Sequence, residues 1–216
     1  MERLSTIIPC EVNDTIYHCR EQARYWYRVV TGAVRKCALT VDGHRQIVDF
    51  LVPGDLFGFG VRDTHHFSTE AIIPETTIAR YPRNSAEQLA EADPQAGRWI
   101  REMAFESISR LQTRTLILGR PSALARVSAF LLDWTDRCGP SSATIVILPM
   151  SRYDIADYLA MAVETVSRAL TVLREREVIA LRGTRGLKIC DRYALEQVTE
   201  GSAAVSTELE SFGRPN

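Results

Sequence analysis

Glu164, Thr165, Ser167 and Arg168 stand among apolar residues (Val166, Ala169, Leu170, Leu173) that recur at helical spacing. The spacing predicts an amphipathic helix from Val163 to about Glu177, with those four polar side chains on its outer face. Their chemistry suits hydrogen-bond readout, not bond breaking. Arg168 offers a planar fork of donors, Glu164 only acceptors, and Ser167 both. The plain alternative is an i,i+4 surface pair between Glu164 and Arg168, worth about 0.2–0.5 kcal/mol. The elements around the helix decide between the two.

Just upstream, Ser151 and Asp154 make a capping-box-like start, followed by apolar Ile155, Ala156 and Leu159. A break follows at Ala160, Met161 and Ala162. Two short helices joined by a tight turn form a helix-turn-helix, whose second helix enters the DNA major groove by its N-terminal end. Downstream, Val178–Leu181 and Leu187–Cys190 flank Arg182-Gly-Thr-Arg-Gly186 and predict a β-hairpin wing. In that setting Arg168 can be bidentate to guanine O6 and N7. Glu164 can accept from the exocyclic amine of cytosine or adenine, and Ser167 can meet thymine. Arg152, Thr165 and Lys188 are the expected phosphate contacts, which position without specifying.

The rest of the chain must carry and pair this reader. Residues 1–92 read as β-rich, with strands expected at Tyr25–Val30, Ala33–Val41, Gln46–Leu51 and within Glu70–Tyr81. Asp42-Gly43 is the strongest hairpin signal, and Pro53-Gly54-Asp55 a further turn. Short strands at spacings of about 8–12 residues point to a small barrel or roll. Asp93 and Pro94 mark a helix start that runs unbroken to Leu118. Ala104, Ile108, Leu111, Thr115 and Leu118 step by four and three along it, a coiled-coil seam expected to join two copies of the chain. Burial against its own domain is the alternative. Ile100, Met103, Phe105 and Leu116 are expected to supply a second apolar face toward the roll. Gly119-Arg120-Pro121 breaks the helix as a candidate hinge. Ser122 can cap the next helix, which ends near Cys138-Gly139-Pro140, and a short strand is expected over Thr144–Leu148. The expected division is a roll at 1–92, a dimerisation helix at 93–119, a winged helix-turn-helix at 120–200 and a flexible tail at 201–216. The fold class is α+β.

Composition narrows the function classes. The 216 residues are 45% hydrophobic, enough for real cores, with a formal net charge of −1. The chain as a whole is therefore no basic nucleic-acid binder, and charge must act locally: residues 150–192 hold eight basic and six acidic side chains. No signal-peptide pattern and no membrane-length apolar run is visible, so a soluble cytoplasmic protein without membrane partners is expected. The five cysteines, Cys10, Cys19, Cys37, Cys138 and Cys190, are scattered and read as free thiols. No phosphate loop, catalytic signature or metal-ligand spacing is present, so neither catalytic residues nor a metal site is expected.

The order of β-roll, long helix, hinge and winged helix-turn-helix, with Gly32, Gly43, Pro53-Gly54-Asp55 and Glu164-x-x-Ser167-Arg168, resembles the superfamily of the cAMP receptor protein and the fumarate–nitrate regulator. Leu148-Pro-Met-Ser-Arg-Tyr-Asp-Ile-Ala-Asp-Tyr-Leu159 and Val163-Glu-Thr-Val-Ser-Arg168 are most similar to its FixK-like branch. His44–Phe50, Ala104–Leu111 and Leu116–Arg120 support that branch. The resemblance covers roughly residues 15–200. It implies a homodimeric transcription regulator, usually an activator, that works with RNA polymerase on double-stranded DNA at a TTGAT-N4-ATCAA type operator. The genes implied serve microaerobic respiration, denitrification or nitrogen fixation.

Departures from the family pattern fall at the turns and in the roll. Ala160 stands where relatives carry Gly, and Ala162 where Ser or Thr would cap the second helix. Arg20-Glu21 replaces a turn glycine. The arginine that holds a cyclic-nucleotide phosphate is missing from His66-Phe-Ser-Thr-Glu-Ala71, and Glu70 adds repulsive charge. Cys10 and Cys19 lack the close companions an iron–sulfur cluster needs. No cofactor and effector-independent activity are therefore expected. The alternative is a redox- or gas-sensing regulator, conditioned by an iron–sulfur cluster, by haem on His18, His65 or His66, or by cysteine oxidation. Cys190, expected as a half-buried strand residue beside the wing, is the redox candidate.

Overall fold

The computed structural model describes residues 4–60, 63–138 and 145–200. The Gly139-Pro140 break, the start of the strand expected at Thr144 and the tail at 201–216 lie outside them. Two compact units divide at Leu111 and Gln112.

The first unit begins with eight strands: β1 (Thr6–Cys10), β2 (Thr15–Tyr17), β3 (Tyr25–Thr31), β4 (Val34–Leu39), β5 (Arg45–Leu51), β6 (Leu56–Phe57), β7 (Ser68–Ala71) and β8 (Thr76–Pro82). They form two four-stranded antiparallel sheets, ordered β1-β8-β3-β6 and β2-β7-β4-β5. Tyr17, Tyr27, Val29, Val34, Leu51, Phe57 and Ile78 from both sheets close one core, the expected roll. The aromatic and β-branched run of β3 supplies it by alternation. The Asp42-Gly43 signal holds: β4 and β5 pair as a hairpin, and Gly43 takes φ +78° in its loop. Gly32 is irreplaceable for a second reason. It has φ +84°, and a Cβ there would lie 2.2 Å from the Thr76 hydroxyl.

Two helices complete this unit. α1 (Arg83–Ala92) was not legible as a helix, since its first residue follows Pro82 with no side-chain cap and only Ala86 is buried. α2 (Pro94–Leu118) starts as its sequence dictates: the Asp93 carboxylate accepts from the Gln95 amide at 2.9 Å, and Pro94 opens the first turn. Trp99, Ile100 and Met103 pack on a cluster of Trp26, Leu56, Ala79, Tyr81 and Ala86. Arg110 fastens the helix to the roll through Asp49 at 3.2 Å and Asp55 at 3.1 Å, all three nearly buried. Phe105 and Leu116 do not join this face. They are 66% and 69% exposed, because helical geometry puts them about a third of a turn beyond Ile108 and Leu111, on the solvent side.

The second unit holds the end of α2, then α3 (Ala123–Cys138), β9 (Val146–Ile147), α4 (Arg152–Leu159), α5 (Val163–Glu175), β10 (Ile179–Arg182), β11 (Gly186–Ile189) and α6 (Arg192–Glu200). The Ser122 hydroxyl accepts from the Ala125 amide at 3.1 Å, the expected cap of α3. β10, β11 and β9 form a three-stranded antiparallel sheet with β11 central. Val127, Leu131, Trp134, Leu159, Val166, Leu173, Leu187 and Leu195 are buried as the core. The Trp134 indole N–H reaches the Ile147 carbonyl at 3.0 Å, tying α3 to β9. α6, absent from the sequence expectations although Asp191 caps it, buries Leu195, Val198 and Thr199, and Arg192 bridges it to α3. Its guanidinium binds Asp136 at 2.8 Å and Glu196 at 2.8 Å, and these partners hold it still more firmly protonated than an ordinary arginine.

Candidate nucleic-acid interface

The reader is assembled from α4 upward. Ser151 Oγ accepts from the Asp154 amide at 3.1 Å, and Asp154 Oδ2 accepts from the Ser151 amide at 3.0 Å, so the capping box is complete. α4 then buries Ile155, Ala156, Tyr158 and Leu159. Ala160 ends it in the left-handed region at φ +52°, the conformation for which glycine is the cheaper residue. Ala162 enters α5 with extended backbone and no side-chain cap, as its missing hydroxyl requires.

α5 buries Val166, Ala169, Leu170 and Leu173. Glu164 and Arg168 are exposed, while Thr165 and Ser167 are half-buried. Among the described residues no ion pair joins Glu164 to Arg168 or to any other group, so the surface-pair alternative is not realised. Three expected base readers thus share the outward face of one helix with their hydrogen-bonding groups uncommitted, except at Ser167. There, Arg152 Nη1 donates to Ser167 Oγ at 3.4 Å.

The wing tip lies beside the start of α4. Ser151, Arg152 and Tyr153 line one cleft of about 550 Å³ together with Gly183, Thr184, Arg185 and Gly186. Arg182 and Arg185, on either side of the Gly183 turn, are exposed. Neither was among the expected phosphate contacts, although arginines flanking a glycine turn in Arg182-Gly-Thr-Arg185 are a usable sequence signal. Lys188 sits mid-strand in β11, opposite Ala180 and half-buried. Cys190 is further back. Its amide bonds to the Val178 carbonyl, and the Val178 amide bonds to Leu173, so Cys190 lies by the C-terminal end of α5. A 13-residue helix is roughly 20 Å long, and the reading end is the other one. Cys190 is also exposed and not half-buried, because it follows the last paired residue of β11. An oxidised Cys190 is thus poorly placed to repel a phosphate at the reading end.

In the roll, a cavity of about 270 Å³ is lined by Tyr17, Lys36, Phe59, His65, His66 and Phe67 among others. His65 stacks on Tyr17 at 3.7 Å between ring centroids, and burial there pushes its pKa below the ordinary value. Burial likewise lowers Lys36, and pushes the Tyr27 phenol up to about 12. Glu70 is tied to Arg35 at 2.6 Å on the sheet face opposite the buried Thr69 and Ala71, so the acidic residue of the altered phosphate segment has its counter-charge beside it. His18 and His66 are exposed. Among the described residues no group of three His, Cys, Asp or Glu side chains could hold a metal ion, and no helix is long and apolar enough to cross a membrane.

Along α2, Ile108 is 50% and Leu111 40% exposed, Thr115 is exposed, and Ala104 and Leu118 are half-buried. With Phe105 and Leu116 beside them, these residues make the exposed apolar stripe wider than the expected seam.

Comparison with known proteins meets this geometry. The Crp-like helix-turn-helix domain matches residues 125–198, and the cyclic nucleotide-binding domain matches residues 8–93. The nitrogen fixation regulation protein FixK of Azorhizobium caulinodans is 40% identical over 189 residues, 86% of this chain and 76% of that protein. Its namesake from Rhizobium meliloti is 42% identical over 172 residues, 80% of this chain and 77% of that protein. The solved structure of FixK2 from Bradyrhizobium japonicum aligns with a TM-score of 0.82 and 38% identity, covering 90% of this chain and 96% of that one. The two-sheet roll, the long helix and the winged helix-turn-helix are therefore those of a DNA-binding regulator and not of an enzyme, and the chain belongs to the FixK-like branch of the cAMP receptor protein/fumarate–nitrate regulator family.

Proposed function

We propose that this protein is a homodimeric transcription activator that recruits RNA polymerase to microaerobic or nitrogen-fixation genes from a TTGAT-N4-ATCAA type operator, without an effector. The DNA-binding activator itself follows from the family and its activator relatives. One observation carries the finer reading: Glu164, Ser167 and Arg168 share the outer face of α5, Glu164 and Arg168 unpaired among the described residues and Ser167 touched only by Arg152, between a capped α4 and a wing. Arg168 reads guanine by its bidentate fork, Glu164 accepts an exocyclic amine, and Ser167 meets thymine. Thr165, Lys188 and, nearer the DNA face, Arg182 and Arg185 take phosphates. The apolar stripe of α2, through Ala104, Ile108, Leu111, Thr115 and Leu118, pairs two copies so that two readers meet two half-sites. A soluble cytoplasmic location fits this role. The test is Arg168→Ala. It should lose roughly tenfold or more of the preference for the guanine-bearing half-site while remaining dimeric. An unchanged footprint would sink the assignment.

One observation favours a second reading, in which a small ligand conditions DNA binding: the roll cavity beside Lys36 and His65. Purified protein that absorbs visible light, or that binds DNA only after a cofactor is added, would support it.

A further inference from the structure

Arg152 was expected to touch a phosphate, yet its guanidinium reaches across to the recognition helix. The capping box places Arg152 as the first residue of α4, and its Nη1 donates to Ser167 Oγ at 3.4 Å. Ser167 is the least determinate of the three base readers. A serine hydroxyl rotates, and it can donate to one base or accept from another. A guanidinium has only donors, so a contact from Arg152 occupies one of the two acceptor lone pairs of Oγ and turns the hydroxyl hydrogen away from Arg152, which favours donation to a third group. Arg168 and Glu164 need no such help, since one only donates and the other only accepts.

We propose that Arg152 is a positioning residue for base readout, favouring Ser167 as a hydrogen-bond donor so that it prefers a base presenting an acceptor, such as thymine O4, over one presenting an amine, such as cytosine N4. This rests on the operator reading above. Arg152 and Ser167 lie on different helices, α4 and α5, so the packing of the helix-turn-helix itself transmits the preference. Arg152 is exposed, and its replacement should leave the fold intact.

Two physical signatures separate this role from a phosphate contact. A phosphate contact weakens binding to all sequences alike and lowers the slope of log K against log salt by about 0.9 per chain. A positioning role leaves that slope alone and relaxes one base pair. The experiment is a salt series of binding titrations with the full chain. Its probes are the operator duplex and duplexes altered one pair at a time, for wild type, Arg152→Ala, Ser167→Ala and the double variant. Arg152→Ala should lose roughly three- to tenfold of thymine-over-cytosine preference at one pair per half-site, with the guanine preference and the salt slope kept. Ser167→Ala should lose the same preference, and the double variant should lose no more. Uniform weakening with a reduced slope would overturn the proposal, as would unchanged preferences in Arg152→Ala. Wild-type protein that shows no sequence preference would defeat the operator reading itself, before any variant is compared.

Discussion

At the scale of single residues, side-chain chemistry and burial decide what each position can do. Arg168 and Glu164 are exposed and unpaired, so their hydrogen-bonding capacity is available to a partner. Ala162 shows the opposite situation, a position whose chemistry is missing. Ala162→Ser should supply the absent cap of α5 and stabilise the helix-turn-helix unit by about 1 kcal/mol, read as a raised denaturation midpoint. An unchanged or lower midpoint would mean that the uncapped amides already have partners. His65 gives the pH dependence. Its folded pKa is lowered from 6.5, first by burial and further by Lys36 and Arg83, against an opposing pull from Glu21. As pH falls through about 6.5 the unfolded chain binds a proton on this ring that the folded roll resists, so stability is lost on the acid side and kept above. The melting temperature should therefore drop between about pH 7.5 and 5.5, and His65→Gln should flatten that drop. An equal drop in the variant would assign the effect to other groups.

At the scale of elements, legibility in the sequence followed the strength of local signals. The helix-turn-helix was readable because capping, periodicity and turn coincide at Ser151, Asp154 and Ala160–Ala162. α2 was readable because Asp93 and Pro94 open it and nothing breaks it before Gly119. α1 and α6 were not. Only Ala86 of α1 is buried, and α6, although Asp191 caps it, is held by Leu195 and Val198 in the core and by Arg192 reaching Asp136, 56 residues away in sequence, a contact no local pattern encodes. The outward turn of Phe105 follows from helical geometry once Trp99, Ile100 and Met103 take the face packed on the Trp26 cluster. In the site, type and spacing put Arg168 on the outer face of α5, and it is exposed there. The prominence of Arg182 and Arg185 over Lys188 and Cys190 depends on how the hairpin folds back along α5, which is a tertiary fact. The seam belongs to this scale too. Ile108→Asp should put a charge in the apolar stripe of α2 and yield monomers in size-exclusion chromatography with unchanged helicity. A variant that still elutes as a dimer would place the interface elsewhere.

At the scale of the whole molecule, a net charge of −1 leaves affinity to a positioned surface and not to bulk attraction. The proposed dimer would bring two readers to one two-fold operator, and its selectivity should then exceed anything one recognition helix supplies. The most direct measurement is a gel-shift titration in air, using spectrally characterised protein and comparing a TTGAT-N4-ATCAA duplex with a scrambled one. Colourless protein should bind the operator tightly and selectively, with two chains per duplex. Equal binding to both duplexes, or selectivity that appears only with a coloured or ligand-loaded protein, would contradict an effector-independent regulator and move the roll cavity to the centre of its control.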